Sequence, residues 1–68
     1  MFYNYNDYTF NLNMIIYICQ HEESIKIVFK DNNIIFIDAT GNKKQERLEE
    51  CNRVFKDITN KLMNRTDV

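Results

Sequence analysis

The chain has 68 residues, a formal net charge of −1 at pH 7 and 44% hydrophobic residues. This length predicts one small domain, residues 1–68, and excludes a large enzyme fold with its own cofactor site. The longest wholly apolar run, residues 14–19, is far shorter than the roughly 20 residues of a membrane-spanning helix, so we expect no membrane span.

Alternating apolar residues predict three antiparallel strands in the first part of the chain. Residues 8–19 alternate with a period of two and are followed by a polar turn, a pattern typical of a strand. Residues 25–30 and 34–38 show the same alternation on either side of Asp-Asn-Asn at 31–33, a sequence that favours a tight turn. Together they predict a β-meander over residues 8–38.

The length of the second turn decides which residues share a face of this meander. A two-residue turn within 31–33 places Phe29 on the same face as Ile34 and Phe36, whereas a three-residue turn breaks this assignment. With the two-residue turn, one face carries Leu12, Met14, Ile16, Ile18, Ile25, Ile27, Phe29, Ile34 and Phe36.

After residue 41 the apolar spacing changes to that of an amphipathic helix, predicted over residues 42–64. Asn42 is the predicted N-cap and Gln45 its capping-box partner. The fold class predicted is therefore α+β: a three-stranded antiparallel β-meander followed by one C-terminal helix packed on one sheet face (βββα). The apolar stripe of the helix consists of Leu48, Cys51, Phe55, Ile58 and Leu62.

The second face of the predicted sheet is more apolar than a solvated face usually is. It carries Ile15, Tyr17, Cys19, Val28, Ile35 and Ile37, and only Lys26 and Lys30 make it polar. Contiguous apolar patches mark interaction sites, so we predict a surface for a protein partner or a homodimer, with Tyr3 and Tyr5 as further candidates. Two alternatives are that residues 1–7, otherwise a flexible segment, cover this face, and that the strand register differs.

Residue patterns typical of catalysis or metal binding are weak. His21 is the only histidine and lies near Cys19, Glu22 and Glu23, whereas a structural zinc site uses four ligands at recognisable spacings. Cys51 falls on the helix stripe, and two cysteines do not make a disulfide framework. We therefore expect no enzyme activity, no catalytic residues, no metal and no cofactor.

A basic flank of the helix is the alternative site, for nucleic acid or another anion. Lysines in a first helical turn oppose the helix dipole, a cost that an anionic partner would offset. The net charge of −1 makes nucleic acid the less favoured partner, because nucleic-acid-binding domains usually have a basic excess. The residues of this flank are Lys43, Lys44, Arg47, Lys61 and Arg65.

Three strands followed by Gly41 and a helix that starts with Lys43-Lys44 resemble the last two-thirds of a double-stranded-RNA-binding domain. The resemblance covers about residues 12–65 and implies that Lys43, Lys44 and Arg47 contact phosphates. The chain departs from that family because it has no room for the first helix and carries larger residues on the helix, namely Leu48, Cys51 and Phe55.

Composition also bears on origin and location. Asn, Ile, Lys, Phe and Tyr account for 34 of the 68 residues, and all five have AT-rich codons. This predicts an AT-rich genome, that of a low-GC bacterium, of its phage or plasmid, or of an AT-rich eukaryote. The start of the chain lacks a signal-peptide pattern, so we expect a cytoplasmic protein, in the host cytoplasm if phage-encoded. The predicted function is a small protein-binding module, an inhibitor or regulator of a host or defence protein.

Overall fold

An N-terminal β-hairpin, a three-stranded sheet and a C-terminal helix make up the structure, a computed structural model that describes residues 1–64. The elements in chain order are strand β1 (Phe2–Tyr5), strand β2 (Tyr8–Asn11), a 3-10 turn (Leu12–Met14), strands β3 (Ile15–His21), β4 (Ser24–Phe29) and β5 (Ile34–Asp38), and helix α1 (Lys44–Asn64).

The second part of the chain has the predicted βββα architecture. Strands β3, β4 and β5 form an antiparallel sheet in that order, and α1 packs on one of its faces through Cys51, Val54 and Ile58, which are at most 1% exposed. Val54 was not in the predicted stripe, whereas Leu48 lies at its partly buried margin. The predicted α+β fold is thus confirmed, and the N-terminal hairpin is an addition to it.

The strand predicted over residues 8–19 is interrupted by the 3-10 turn. The side chain of Asn11 accepts a hydrogen bond from the backbone N–H of Asn13 at 3.0 Å, a local bond that competes with the strand ladder. The turn buries Leu12 completely and carries the chain from the hairpin to β3. Alternation of apolar residues did not reveal this break, because Leu12 keeps the period of two.

Residues 2–5, expected to be flexible or to cover the second sheet face, form β1 and pair with β2. The turn between the two strands contains Asn6 at a φ of 53°, a conformation that asparagine adopts more readily than most residues. Tyr3 and Phe10 are buried side by side with ring centroids 5.7 Å apart, and Phe10 meets Phe29 at 5.9 Å. The hairpin therefore packs on the helix side of the sheet.

The turn between β4 and β5 is one residue longer than predicted, and it reverses the faces of β5. Phe29 N–H donates to the carbonyl of Asn33 at 2.9 Å, and Asn32 N–H donates to the carbonyl of Phe29 at 3.0 Å, which leaves a three-residue loop over 30–32. Val28 consequently pairs with Ile34. Side chains alternate along a strand, so Ile35 and Ile37 point to α1 and the assignment of Ile34 and Phe36 to the core face was wrong.

A register irregularity between Ile15 and Tyr17 also reverses the faces on which the first residues of β3 lie. Ile16 is the additional residue, and it is 56% exposed, whereas Ile15 pairs with Phe29 and is 3% exposed. A bulge of this kind shifts every residue before it to the other face. The predicted positions of Ile15 and Ile16 were therefore exchanged, and Met14, also assigned to the core, is 38% exposed.

The start of α1 lies two residues later than predicted. The helix begins at Lys44, and the Glu46 carboxylate accepts hydrogen bonds from the backbone N–H groups of Asn42 and Lys43, at 2.9 and 3.1 Å. This is the carboxylate half of a capping box. Glu46, not Gln45, supplies it, so the predicted Asn42 and Gln45 pair was wrong.

Candidate functional site: the open sheet face

The sheet face opposite α1 carries exposed side chains from β3 and β5, and we call it the open face. Nine residues of β3, β4 and β5 lie on it in three cross-strand rows, as the pairing register shows. From the loop over 30–32 toward the other end of the sheet, the rows are Tyr17, Val28 and Ile34; Cys19, Lys26 and Phe36; and His21, Ser24 and Asp38.

Large apolar side chains of the open face are exposed to solvent. Tyr17, Ile34 and Phe36 are 48%, 51% and 53% exposed, and Val28 lies between them, partly buried. The neighbouring bulge residue Ile16 is exposed as well. The solvated face of an antiparallel sheet is usually polar, so this patch has the character of an interaction surface.

Lys26 occupies the centre of the open face, in the middle strand and the middle row. It is partly buried, and its cross-strand neighbours are Cys19 and Phe36. Lysine stems commonly lie along apolar surface while the ammonium group stays in water. Within residues 1–64 the Lys26 ammonium group forms no ion pair.

The third row is polar. The Ser24 hydroxyl donates a hydrogen bond to the Asp38 carboxylate at 2.6 Å, and His21 is the cross-strand neighbour of Ser24. In a nucleophilic triad the histidine lies between the hydroxyl and the carboxylate, whereas here the hydroxyl bonds the carboxylate directly. In the described part of the chain no three His, Cys, Asp or Glu side chains are grouped to hold a metal ion.

The polar row borders a cavity of about 380 Å³ at the end of the sheet. Its wall includes Glu23 and Arg47, which form an ion pair with each other. Arg47 also donates to the carbonyl oxygen of Gly41 at 3.2 Å. These charges are engaged in holding the start of α1 against the turn between β3 and β4.

Of the predicted second sheet face, the candidate contact residues were Ile15, Tyr17, Val28, Ile35 and Ile37, and the structure divides them. Tyr17 and Val28 lie on the open face. Ile15 and Ile37 are 3% and 1% exposed on the helix side, and Ile35 packs against the same core, so their assignment to the open face was wrong. Because of the turn length and the bulge, Ile34, Phe36 and Ile16 are exposed in their place. A prediction of a three-residue turn over 30–32 would have placed Ile34 and Phe36 on the open face.

Tyr3 and Tyr5, the other two predicted contact residues, are only 7% and 9% exposed and bind the helix instead. The Tyr3 hydroxyl donates to Asp57, and the Tyr5 hydroxyl donates to Glu50, both at 2.8 Å. Burial and the bond to Asp57 raise the pKa of Tyr3 to about 12. Hydrogen bonds from Arg53 and Tyr5 lower the pKa of Glu50 to about 2. The two tyrosines therefore attach the hairpin to α1.

Both thiols are free, and they lie on opposite sides of the sheet. Cys19 is partly buried on the open face, whereas Cys51 is fully buried under α1. Burial raises the pKa of the Cys51 thiol. Cys51 therefore serves as a small apolar core residue.

The structure pairs part of the predicted basic flank of α1 with carboxylates. Arg47 binds Glu23, and Lys61 lies 3.4 Å from Asp57. The two lysines before and at the start of the helix are exposed, while Arg65 lies outside the described residues. The flank is thus a mixed-charge surface with two exposed lysines at one end.

No helix in the described range 1–64 is long and apolar enough to cross a membrane. Comparison of the chain with protein-family models, with curated proteins and with solved structures finds no match.

Proposed function

We propose that this protein is a small non-enzymatic module that binds another protein through its open face. The observation that carries the proposal is the half-exposure of Tyr17, Ile34 and Phe36 on one face of the sheet. Aromatic residues are enriched in the buried centres of protein interfaces. Two of these three side chains are aromatic, and all three lie on hydrogen-bonded strands.

The fold does not need these side chains for its own core. On the opposite face Ile25, Ile27 and Ile37 are at most 1% exposed beneath α1 and the hairpin. Apolar residues on a strand ladder are held in place before binding, which reduces the entropy lost on association. Surface that is apolar, ordered and unused by the core is thus available to a partner.

A finer proposal concerns the biological role. We propose an inhibitor or regulator, encoded by a phage or another mobile element, that acts in the host cytoplasm on a host or defence protein. The AT-rich residue usage supports this origin. Inhibition by direct contact needs only a complementary surface, which a chain of this size provides. The homodimer expected from the sequence stays a prediction.

Nucleic-acid binding is the second hypothesis. The observation in its favour is that Lys43 and Lys44 are exposed and unpaired within residues 1–64. The pairing of Arg47 and Lys61 with carboxylates weakens it. Phosphate binding by these lysines would fall steeply with salt concentration, which separates it from apolar contact.

Affinity capture with matched variants tests the first proposal. Wild-type protein, Tyr17→Glu, Phe36→Glu and Met63→Glu are immobilised and exposed to nuclease-treated lysate of a low-GC bacterium. Met63 is 78% exposed on α1 and provides the control for an added charge away from the open face. We expect that the wild type and Met63→Glu retain a protein from the lysate and that both open-face variants do not retain it. The thermal unfolding midpoints of all four proteins should be the same.

Two results would contradict this proposal. Equal retention by all four proteins would assign binding to another surface. Retention that is seen only in lysate without nuclease treatment, and that Lys43→Glu with Lys44→Glu abolishes, would support the second hypothesis instead.

A further inference from the structure

We infer that the open face accepts a different protein rather than a second copy of this chain, and that this partner presents an Asp or Glu carboxylate, set within an apolar surface, to Lys26. The inference rests on the proposed function and adds the chemistry of the partner. It follows from the position of Lys26 among the apolar side chains.

Any partner that covers the apolar side chains also covers Lys26. Tyr17 lies on β3 and Phe36 on β5, whereas Lys26 lies between them on β4. A surface in contact with both aromatic rings therefore removes water from the Lys26 ammonium group.

Burial of that group without a counter-charge would oppose binding. Within residues 1–64, Lys26 has no carboxylate partner, and burial of an unpaired charge strongly opposes association. A carboxylate on the partner offsets this cost and fixes the register of the complex. The rest of the partner surface must be apolar to match Tyr17, Ile34 and Phe36.

A second copy whose two-fold axis passes over Lys26 does not supply this complement. A two-fold axis along β4 stacks the apolar rows on each other but places Lys26 against Lys26 of the second copy. A two-fold axis across the strands makes the same lysine contact and also sets Val28 over Ser24 and Ile34 over Asp38. Like charges facing each other in an interface suppress association. The face is therefore not self-complementary in either of these arrangements centred on Lys26.

Selection from a displayed library of random peptides tests the partner chemistry. The targets are wild type, Lys26→Glu and Lys26→Met, and peptides that also bind Phe36→Glu are removed because their binding does not depend on the open face. We expect wild type to enrich Asp or Glu among apolar residues, and Lys26→Glu to enrich Lys or Arg. Peptides selected on wild type should bind Lys26→Glu at least about tenfold more weakly, and Lys26→Met should lose less.

The other outcomes separate this inference from the proposed function. Face-dependent peptides that lack acidic residues and bind Lys26→Glu equally well would overturn the inference alone. A selection with no face-dependent peptides would count against the proposed function too. Sedimentation that shows a wild-type dimer, absent in Phe36→Glu, would identify a second copy as the occupant and overturn the inference.

Discussion

Gly41, the only glycine of the chain, lies where β5 gives way to α1. Its φ is 156°, and a Cβ atom at this position would lie 3.0 Å from Cβ of Glu46 and 3.1 Å from the backbone nitrogen of Arg47. Glu46 caps the helix start and Arg47 binds Glu23, so neither neighbour can move without loss of a contact. The close approach of the backbone to α1 therefore requires glycine.

We predict that Gly41→Ala lowers the free energy of unfolding by about 1–3 kcal/mol, because it combines backbone strain with crowding against α1. Urea denaturation measures the change. Asn42→Ala is the matched control, since Asn42 contributes its backbone N–H and not its side chain to the cap. Equal stability of Gly41→Ala and wild type would show that the junction has room for a side chain.

At the scale of the elements, turn length controls which face of β5 meets the helix. The three-residue loop over 30–32 directs Ile35 and Ile37 toward α1 and leaves Ile34 and Phe36 on the open face. A shift of one residue in the pairing of β5 with β4 reverses this alternation, whereas a shift of two residues preserves it.

We predict that one glycine inserted after Ile34 destabilises the protein far more than one glycine inserted after Asp31. The insertion after Ile34 lies within β5 and turns Ile35 and Ile37 outward, and loss of a buried isoleucine alone costs about 2–5 kcal/mol. The insertion after Asp31 lies in the loop, keeps the pairing of β5 with β4 and costs less than about 1 kcal/mol, since loop entropy grows slowly with length. Thermal unfolding followed by circular dichroism measures both. Similar losses in the two variants would refute the parity argument.

At the scale of the whole molecule, hydrogen bonds between the hairpin and α1 link the two ends of the chain. Tyr3 bonds Asp57 and Tyr5 bonds Glu50. The pKa of Glu50 is about 2 in the fold, below its ordinary 4.5, so its contribution to stability is present above pH 4.5 and is lost as pH falls toward 2. The pKa of Tyr3 is about 12 against an ordinary 10. Its contribution is present below pH 10 and is lost as pH rises toward 12.

We predict that Tyr3→Phe lowers stability at pH 7 by about 1 kcal/mol and reduces the further loss between pH 10 and 12. Glu50→Gln should likewise reduce the loss between pH 4.5 and 2. Denaturation at a series of pH values measures these slopes, with Tyr17→Phe on the open face as the control for loss of a tyrosine hydroxyl. An unchanged alkaline slope in Tyr3→Phe would mean that the bond to Asp57 does not couple the hairpin to the helix.

Local patterns in the sequence were sufficient for the order and type of the main elements. The period of two over 25–30 and 34–38 and the helical spacing after residue 42 identified β4, β5 and α1, because burial of one face repeats at the period of each element. The break at Leu12–Met14 and the strand β1 were missed. The break depends on the hydrogen bond that the Asn11 side chain accepts within its own turn. The position of β1 depends on the bond from Tyr3 to the distant helix.

The sequence by itself determined that the sheet has more apolar residues than one helix can cover, and this holds for either register. Only the tertiary structure decided which residues those are. Both faces of β5 are apolar, with Ile34 and Phe36 on one and Ile35 and Ile37 on the other, so composition does not distinguish them. One residue in the turn selects between the faces of β5, as one bulge does at the start of β3. Long-range contacts settled that choice by burying Ile37 beneath α1 and leaving Phe36 to solvent.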